Sequence, residues 1–297
     1  MEKTIYDYAI IGAGPAGCFA AIELLKKGKS VIIFEKEKQS FRKVCGDGLS
    51  KSCIELLKNI GFPVSRFALH GATAIEECIS IDKYNFKYVE AYAKSNHPYG
   101  LSRWITDKIF QDYAIEKGAK IVFETPVVTL NKENSVYNVQ GSAFREYIIA
   151  SGVYAKNIHT GKFIHNVSTL PTGISMVIEK RLPVRPFFLF DRSIEDFGGY
   201  GWIFKTNGDL WNVGVWLEKD VHKVKELFQR FVDTRVKEYL GDDYTIVSAP
   251  KGRALPTSLC DLHENYVGDA RGTCSPYSGE GISKAIISAI EYVSKLG

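Results

Sequence analysis

The 297-residue chain is 45% hydrophobic and 24% charged, enough apolar content for a substantial core, which sets aside disorder. Its 38 Lys and Arg against 34 Asp and Glu give a net charge of +4, spread without a long run of either sign, so no nucleic-acid partner is expected. Six cysteines, Cys18, Cys45, Cys53, Cys78, Cys260 and Cys274, form no CxxC pair, so no metal site and no disulfide scaffold is expected, and reduced thiols in a cytoplasmic protein fit best.

Met1 leads directly into a strand pattern with no signal-peptide signature, and no stretch approaches the roughly 20 apolar residues needed to span a bilayer. Peripheral contact with a membrane stays open. In chain order, Tyr6-Asp7-Tyr8-Ala9-Ile10-Ile11 reads as a buried parallel strand that stops at Gly12-Ala13-Gly14-Pro15-Ala16-Gly17. Ala20, Ala21, Leu24 and Leu25 then recur at helical spacing up to Lys27, and Gly28 ends the helix. Ser30-Val31-Ile32-Ile33-Phe34-Glu35 is a second strand closed by an acid. Strand, glycine turn, helix, strand and acid together form the dinucleotide fingerprint.

Each part of that fingerprint has a physical task. Gly12 permits the sharp turn, Gly14 lets the backbone approach a pyrophosphate, and Gly17 lets the helix pack tightly on the strand. Pro15 and Ala16 open a helix whose N-terminus faces phosphate charge. Glu35 can accept hydrogen bonds from ribose hydroxyls and disfavours a 2′-phosphate, which argues against NADP in this site; the adjacent Lys36 is counted with it. FAD and NAD both fit this fingerprint.

After the glycine-punctuated loop Lys43-Val44-Cys45-Gly46-Asp47-Gly48-Leu49 comes a helical pattern over Cys53 to Ile60. Strands follow between Ala72 and Ala91, with Asp82-Lys83-Tyr84-Asn85 as a hairpin turn. Leu101 to Lys117 is helical, with an apolar stripe of Ile105, Ile109, Phe110, Tyr113 and Ala114. Four short strands are expected at Ile121 to Phe123, Val127 to Leu130, Val136 to Val139 and Tyr147 to Ala150, a β-meander. Gly173 to Val215 is rich in β-branched and aromatic residues, and Val221 to Tyr239 reads as one helix with Val224, Leu227, Phe228 and Phe231 on its apolar face. Asn265 to Ala270 reads as a short strand ending in Gly268-Asp269-Ala270, and a helix runs from Ile282 to the end. The fold class is therefore α/β with α+β elements, in two interleaved domains. Residues 1–70, 95–160 and 250–297 form a Rossmann-like dinucleotide domain with a β-meander; 71–94 and 161–249 form a mainly antiparallel β-sheet substrate domain.

The C-terminal motifs Gly268-Asp269-Ala270 and Pro276-Tyr277-Ser278-Gly279-Glu280-Gly281, together with the N-terminal fingerprint, carry a resemblance over nearly the whole chain. The sequence resembles the FAD-dependent geranylgeranyl reductase family, within the group that shares the p-hydroxybenzoate hydroxylase fold. The resemblance implies FAD as cofactor, with Gly268 and Asp269 near the ribityl chain or pyrophosphate and Pro276, Gly279 and Gly281 beside the isoalloxazine. A helix starting at Gly281-Ile282 would also stabilise negative charge on a reduced flavin. Arg103, with Asp107 following, matches the family's Arg-x-x-x-Asp element, whose arginine approaches the FAD. At Ile149-Ala150-Ser151-Gly152 the chain departs from the group, which carries an acid before the glycine.

Cys45-Gly46-Asp47-Gly48-Leu49 resembles the reductases' Cys-Gly-Gly-Gly-Leu loop near the flavin. Tyr200-Gly201-Trp202-Ile203-Phe204 resembles their Tyr-x-Trp-x-Phe-Pro substrate element, with Lys205 in place of the proline. From the residues alone, Cys45 could donate a proton, contact a substrate double bond or simply pack. Tyr200, Trp202 and Phe204 share one strand face and could line an apolar slot or form core. The resemblance implies reduction of a carbon–carbon double bond in an apolar substrate, an isoprenoid being one that would suit, by hydride from reduced flavin, with Cys45 near the second carbon. Two alternatives stay open: an FAD-dependent aromatic monooxygenase or halogenase, and a non-catalytic flavin-binding protein. No second GxGxxG unit is present, so the transient electron donor is open between NAD(P)H and ferredoxin.

Overall fold

Ile5–Ile11 forms the middle of a six-stranded sheet because its neighbours on both sides are apolar strands running in the same direction. Ile10 lies opposite Ile33 of Val31–Phe34 on one side and Ile148 of Ser142–Ile149 on the other, and all three are fully buried. The computed structural model describes residues 4–39, 41, 43–93, 97–133, 135–259 and 265–296. Within them the chain divides into two compact units, the first made of residues 1–41, 107–168 and 255–297 and the second of 42–106 and 169–254.

In the first unit, Lys120–Val122 extends the sheet in parallel beyond Val31–Phe34, and Lys132–Glu133, Val136–Val139 and Ser142–Ile149 form the antiparallel meander at the other end. One sheet face packs Ala9, Ile11, Ile32, Phe34 and Ile149 against Leu130, Ile158 and Tyr266. The other carries the helix Pro15–Lys26, seated so closely that a Cβ on Gly17 would come 3.3 Å from Ile10 Cγ2.

The second unit is built on a seven-stranded sheet ordered Thr245–Ala254, Thr172–Glu179, Leu210–Leu217, Tyr200–Lys205, Phe187–Asp191, Glu77–Ile81 and Lys87–Ala91. All its pairings are antiparallel except Phe187–Asp191 with Glu77–Ile81. One face is covered by Val224, Leu227, Phe228 and Phe231, which meet Ile174, Ile203, Val213 and Val215. Strand periodicity turns Tyr200, Trp202 and Phe204 to the opposite face. There they join Phe188, Phe190 and Trp216 in a run of ring contacts with centroids 4.4 to 6.2 Å apart.

Several expectations are corrected. Val127 to Leu130 follows Pro126 and forms no strand; its Leu130 N–H donates to Ile158 O at 3.0 Å, and Val127 and Leu130 join the core as irregular chain. The single helix expected over Val221 to Tyr239 is instead a 3-10 turn Val221–Lys223, an α-helix Val224–Phe231, a π-turn Val232–Val236 and an α-helix Lys237–Leu240. The wide turn carries Arg235, whose Nε donates to the buried Asp191 Oδ2 at 2.7 Å. The short strand over Asn265 to Ala270 reduces to one parallel bridge between Tyr266 and Ile149, after which Gly268 turns the chain into a 3-10 segment, Gly268–Ala270. Segments 42–70 and 95–106, read from the sequence with the dinucleotide domain, fall in the second unit. There Gly48–Leu49 and Thr73–Ala74 both pair with Tyr99–Gly100, and a Cβ on Gly100 would stand 1.8 Å from Lys205 O.

Candidate functional site

The first unit places the fingerprint residues as their chemistry requires. Gly12 has φ +110°, and a Cβ there would lie 2.5 Å from Ala150 O; one on Gly17 would lie 1.9 Å from Gly12 O. Both glycines are therefore demanded by backbone packing. A Cβ on Gly14 would meet nothing within 4 Å, so this position opens outward, at the N-cap of a helix whose first turn has no capping side chain. Pro15 and Ala16 form that first turn. Glu35 Oε2 accepts from Ala13 N–H at 2.7 Å and Oε1 from Glu37 N–H at 3.0 Å, which fixes the carboxylate at the turn. Lys36 is exposed and pairs with Glu37 at 3.5 Å.

The C-terminal motif reaches the same turn. Gly268, at φ +63°, fits where a Cβ would stand 2.9 Å from Ala16 Cβ and 3.3 Å from Ala285 Cβ, so it lies against the opening turns of both Pro15–Lys26 and Ile282–Ser294. Its N–H donates to Ser288 Oγ at 2.8 Å. Asp269 Oδ1 lies 3.5 Å from where a Gly281 Cβ would be, beside the N-cap of the last helix, which also has no capping side chain. His165 Nε2 faces the Asp269 and Ala270 carbonyl oxygens at 2.9 and 3.1 Å; carbonyls only accept, so this nitrogen carries the proton. Pro276 and Gly279 belong to the turn that leads to Ile282, closed by Gly279 N–H to Ser275 O and Cys274 Sγ to Gly279 O at 3.3 Å.

These features fit FAD. Two uncapped helix N-termini present amide N–H groups to an anion, Gly14 leaves open space at one of them, and Arg271 Nε and Thr273 Oγ1 are buried with no protein partner. Gly12, Gly14, Pro15, Ala16, Gly17, Glu35, Gly268, Asp269, Gly281 and Ile282 are the residues of this unit that would hold it.

The second unit assembles the other predicted residues. A Cβ on Gly46 would stand 3.4 Å from Trp202 Nε1 and 3.5 Å from the Phe204 ring, and one on Gly48 3.2 Å from the Phe204 ring. The cysteine loop is thus laid against the aromatic strand, leaving Trp202 and Phe204 each 7% exposed and Tyr200 half-buried. Cys45 is half-buried with its Sγ 3.9 Å from Arg103 Nη1. It lines a shallow surface cleft with Lys43, Ser175, Asn212, Ser248 and Lys251 among its walls.

Two residues here escape the sequence reading. Asp47, 4% exposed and at φ +61°, accepts at Oδ1 from the Arg103 N–H that opens the helix Arg103–Glu116, at 2.8 Å. Asn212, 1% exposed, donates from Nδ2 to Asp47 Oδ2 at 2.8 Å and to Cys45 O at 2.7 Å, and accepts from Trp202 Nε1 at 2.9 Å. The available signals were an acid where the reductases carry glycine, and one amide inside the apolar strand Leu210–Leu217. Among the described residues, Cys18, Cys45, Cys53, Cys78 and Cys274 form no disulfide; Cys260 lies outside the described residues.

Residues 6–142 match the FAD binding domain family model. The chain is 27% identical to digeranylgeranylglycerophospholipid reductase 1 of Methanococcoides burtonii, covering 96% of this chain and 72% of that one. It is 25% identical to digeranylgeranylglycerophospholipid reductase of Methanocaldococcus jannaschii, covering 95% and 74%. Among solved structures, a geranylgeranyl bacteriochlorophyll reductase-like protein of Thermoplasma acidophilum superposes with TM-score 0.77 at 19% identity, over 98% of this chain and 78% of that one. The flavin-dependent brominase Bmp2 superposes with TM-score 0.76 at 19% identity, over 98% and 78%. The flavin-enzyme fold is common to both structures.

Proposed function

We propose that this FAD-dependent oxidoreductase, similar to the digeranylgeranylglycerophospholipid reductases, reduces a carbon–carbon double bond of an apolar, isoprenoid-like substrate, the hydride being supplied by reduced FAD. The fold does not decide the reaction, because a brominase shares it; the reductases among its relatives favour reduction. The observation that carries the reading is the seating of the Cys45 loop on the Trp202 and Phe204 rings. It lays the loop that carries Cys45, a group able to give a proton, on an aromatic strand.

In this reading half-buried Tyr200 borders the substrate, and the buried Trp202 and Phe204 rings back it and exclude water. Cys45 gives a proton to the second alkene carbon, and Arg103 stabilises the thiolate that remains. A transient donor, reduced nicotinamide or ferredoxin, returns electrons, and peripheral membrane contact is where so apolar a substrate would be met. The test is anaerobic. The full chain is photoreduced and given a polyprenyl alkene, and the return of oxidised-flavin absorbance is followed. Reoxidation by the alkene supports the proposal; a flavin that stays reduced until oxygen is admitted would sink it.

A further inference from the structure

Gln111 lies in the middle of the helix Arg103–Glu116, on the face that packs against the dinucleotide turn. Its neighbour Phe110 meets Phe19 of the first helix edge-on at 5.2 Å, which fixes the two helices together. The side chain is 5% exposed. Its Nε2 donates to Ala13 O at 3.1 Å, so the amide orientation is determined, because a carbonyl can only accept. Oε1 is left buried with no hydrogen-bond partner. Leaving such an acceptor unpaired is destabilising, and a substituted aliphatic side chain would avoid that cost.

The position of this acceptor limits what can satisfy it. Ala13 is the residue between Gly12 and Gly14, and its N–H is held by Glu35, the acid at the ribose end of the fingerprint. Gln111 therefore grips the carbonyl of the same residue whose N–H Glu35 grips. A phosphate oxygen cannot answer Oε1, since both are acceptors. A donor is required, and the adenosine half of the cofactor supplies ribose hydroxyls.

We propose that Gln111 is a cofactor-binding residue whose Oε1 accepts a hydrogen bond from a ribose hydroxyl in the adenosine half of FAD. Glu35 holds one hydroxyl and Gln111 the other. The proposal rests on the dinucleotide site and is independent of the reaction catalysed.

The experiment measures binding to the full chain stripped of flavin, with FAD, ADP, FMN, 2′-deoxy-ADP and 3′-deoxy-ADP as probes. Gln111→Met is expected to raise the dissociation constants of FAD and ADP about tenfold, about 1.4 kcal/mol, to leave FMN unchanged, and to leave the thermal stability of the flavin-free protein no lower. In the unsubstituted chain each deoxy sugar binds more weakly than ADP; in Gln111→Met the penalty for one of them disappears. Unchanged FAD and ADP affinity, the result if Oε1 meets only a buried water, would overturn the proposal. So would deoxy penalties equal in both proteins, or an equal loss of FMN. Should the Met variant not fold, Gln111→Asn, which shortens the amide out of reach, takes its place with the same outcomes.

Discussion

Asn212 and Cys45 are joined by a 2.7 Å hydrogen bond from the Asn212 amide to the Cys45 carbonyl oxygen, across 167 positions of sequence. The same nitrogen donates to Asp47, and the amide oxygen receives the Trp202 indole N–H. All three protein partners of one buried side chain are therefore parts of the proposed substrate site. This arrangement explains how Asp47 tolerates a left-handed backbone that costs a non-glycine residue about 1 kcal/mol: its carboxylate is held from both sides, by Asn212 and by the Arg103 N–H.

Asn212→Leu should remove that support. The Asp47 carboxylate and the Trp202 indole each lose a buried partner, and the fold should lose ~3 kcal/mol. Urea unfolding measures the loss, and a shift in tryptophan emission reports the freed indole. A variant as stable as the parent, with unchanged emission, would remove Asn212 from its place at the centre of the loop.

Two glycines of the turn should fail differently. Gly17→Ala places a Cβ 1.9 Å from Gly12 O and should cost ~2–3 kcal/mol or more of stability. Gly14→Val projects into open space, so the protein should fold and yet lose FAD. Absorbance per folded chain separates the two effects. A yellow Gly14→Val protein with full flavin loading would refute the pyrophosphate placement.

Thiol chemistry should follow burial. Burial pushes the Cys18 thiol well above its ordinary range, with Asp107, Glu35 and Asp112 adding to the effect, and burial likewise raises Cys78. With folded values above unfolded ones, this contribution to stability is complete below the unfolded pKa and fades as pH rises through the folded one. Near pH 8, in the flavin-free chain, iodoacetamide should therefore modify half-buried Cys45 and spare fully buried Cys18. Peptide mass mapping reads this, and early modification of Cys18 would contradict it.

Asp7 ties the first strand to the second. It accepts from Ser30 N–H at 2.8 Å and Ser30 Oγ at 2.7 Å, and these bonds, backbone first, lower its pKa, with Arg145 and Lys29 assisting. A lowered folded pKa means stabilisation present above the unfolded carboxylate range and lost as pH falls through the folded value. Asp7→Asn should thus be less stable than the parent at pH 6, with the gap closing under acid. A gap that does not change with pH would argue against the ionic contribution.

Sequence reasoning reached the dinucleotide unit because its signals are local: Gly12, Gly14, Gly17 and Glu35 fall within one strand–helix–strand stretch, where periodicity and backbone sterics act over a few residues. It overread Val127 to Leu130, whose apolar pattern serves a core contact while the backbone bonds elsewhere. It missed the Asp47–Asn212 pair, because 165 positions separate the partners and only the register of Leu210–Leu217 in the sheet brings them together. Gln111 was hidden for a related reason: a glutamine in a helix usually faces solvent, and its burial depends on Ala13 being opposite.

The most direct test of the central claim is mass spectrometry of the alkene after anaerobic photoreduction of the FAD-loaded chain, with a parallel sample exposed to oxygen. The expected product is heavier by two hydrogens in the anaerobic sample, with no oxygenated product in the other. A product carrying one added oxygen, formed only in air, would contradict it.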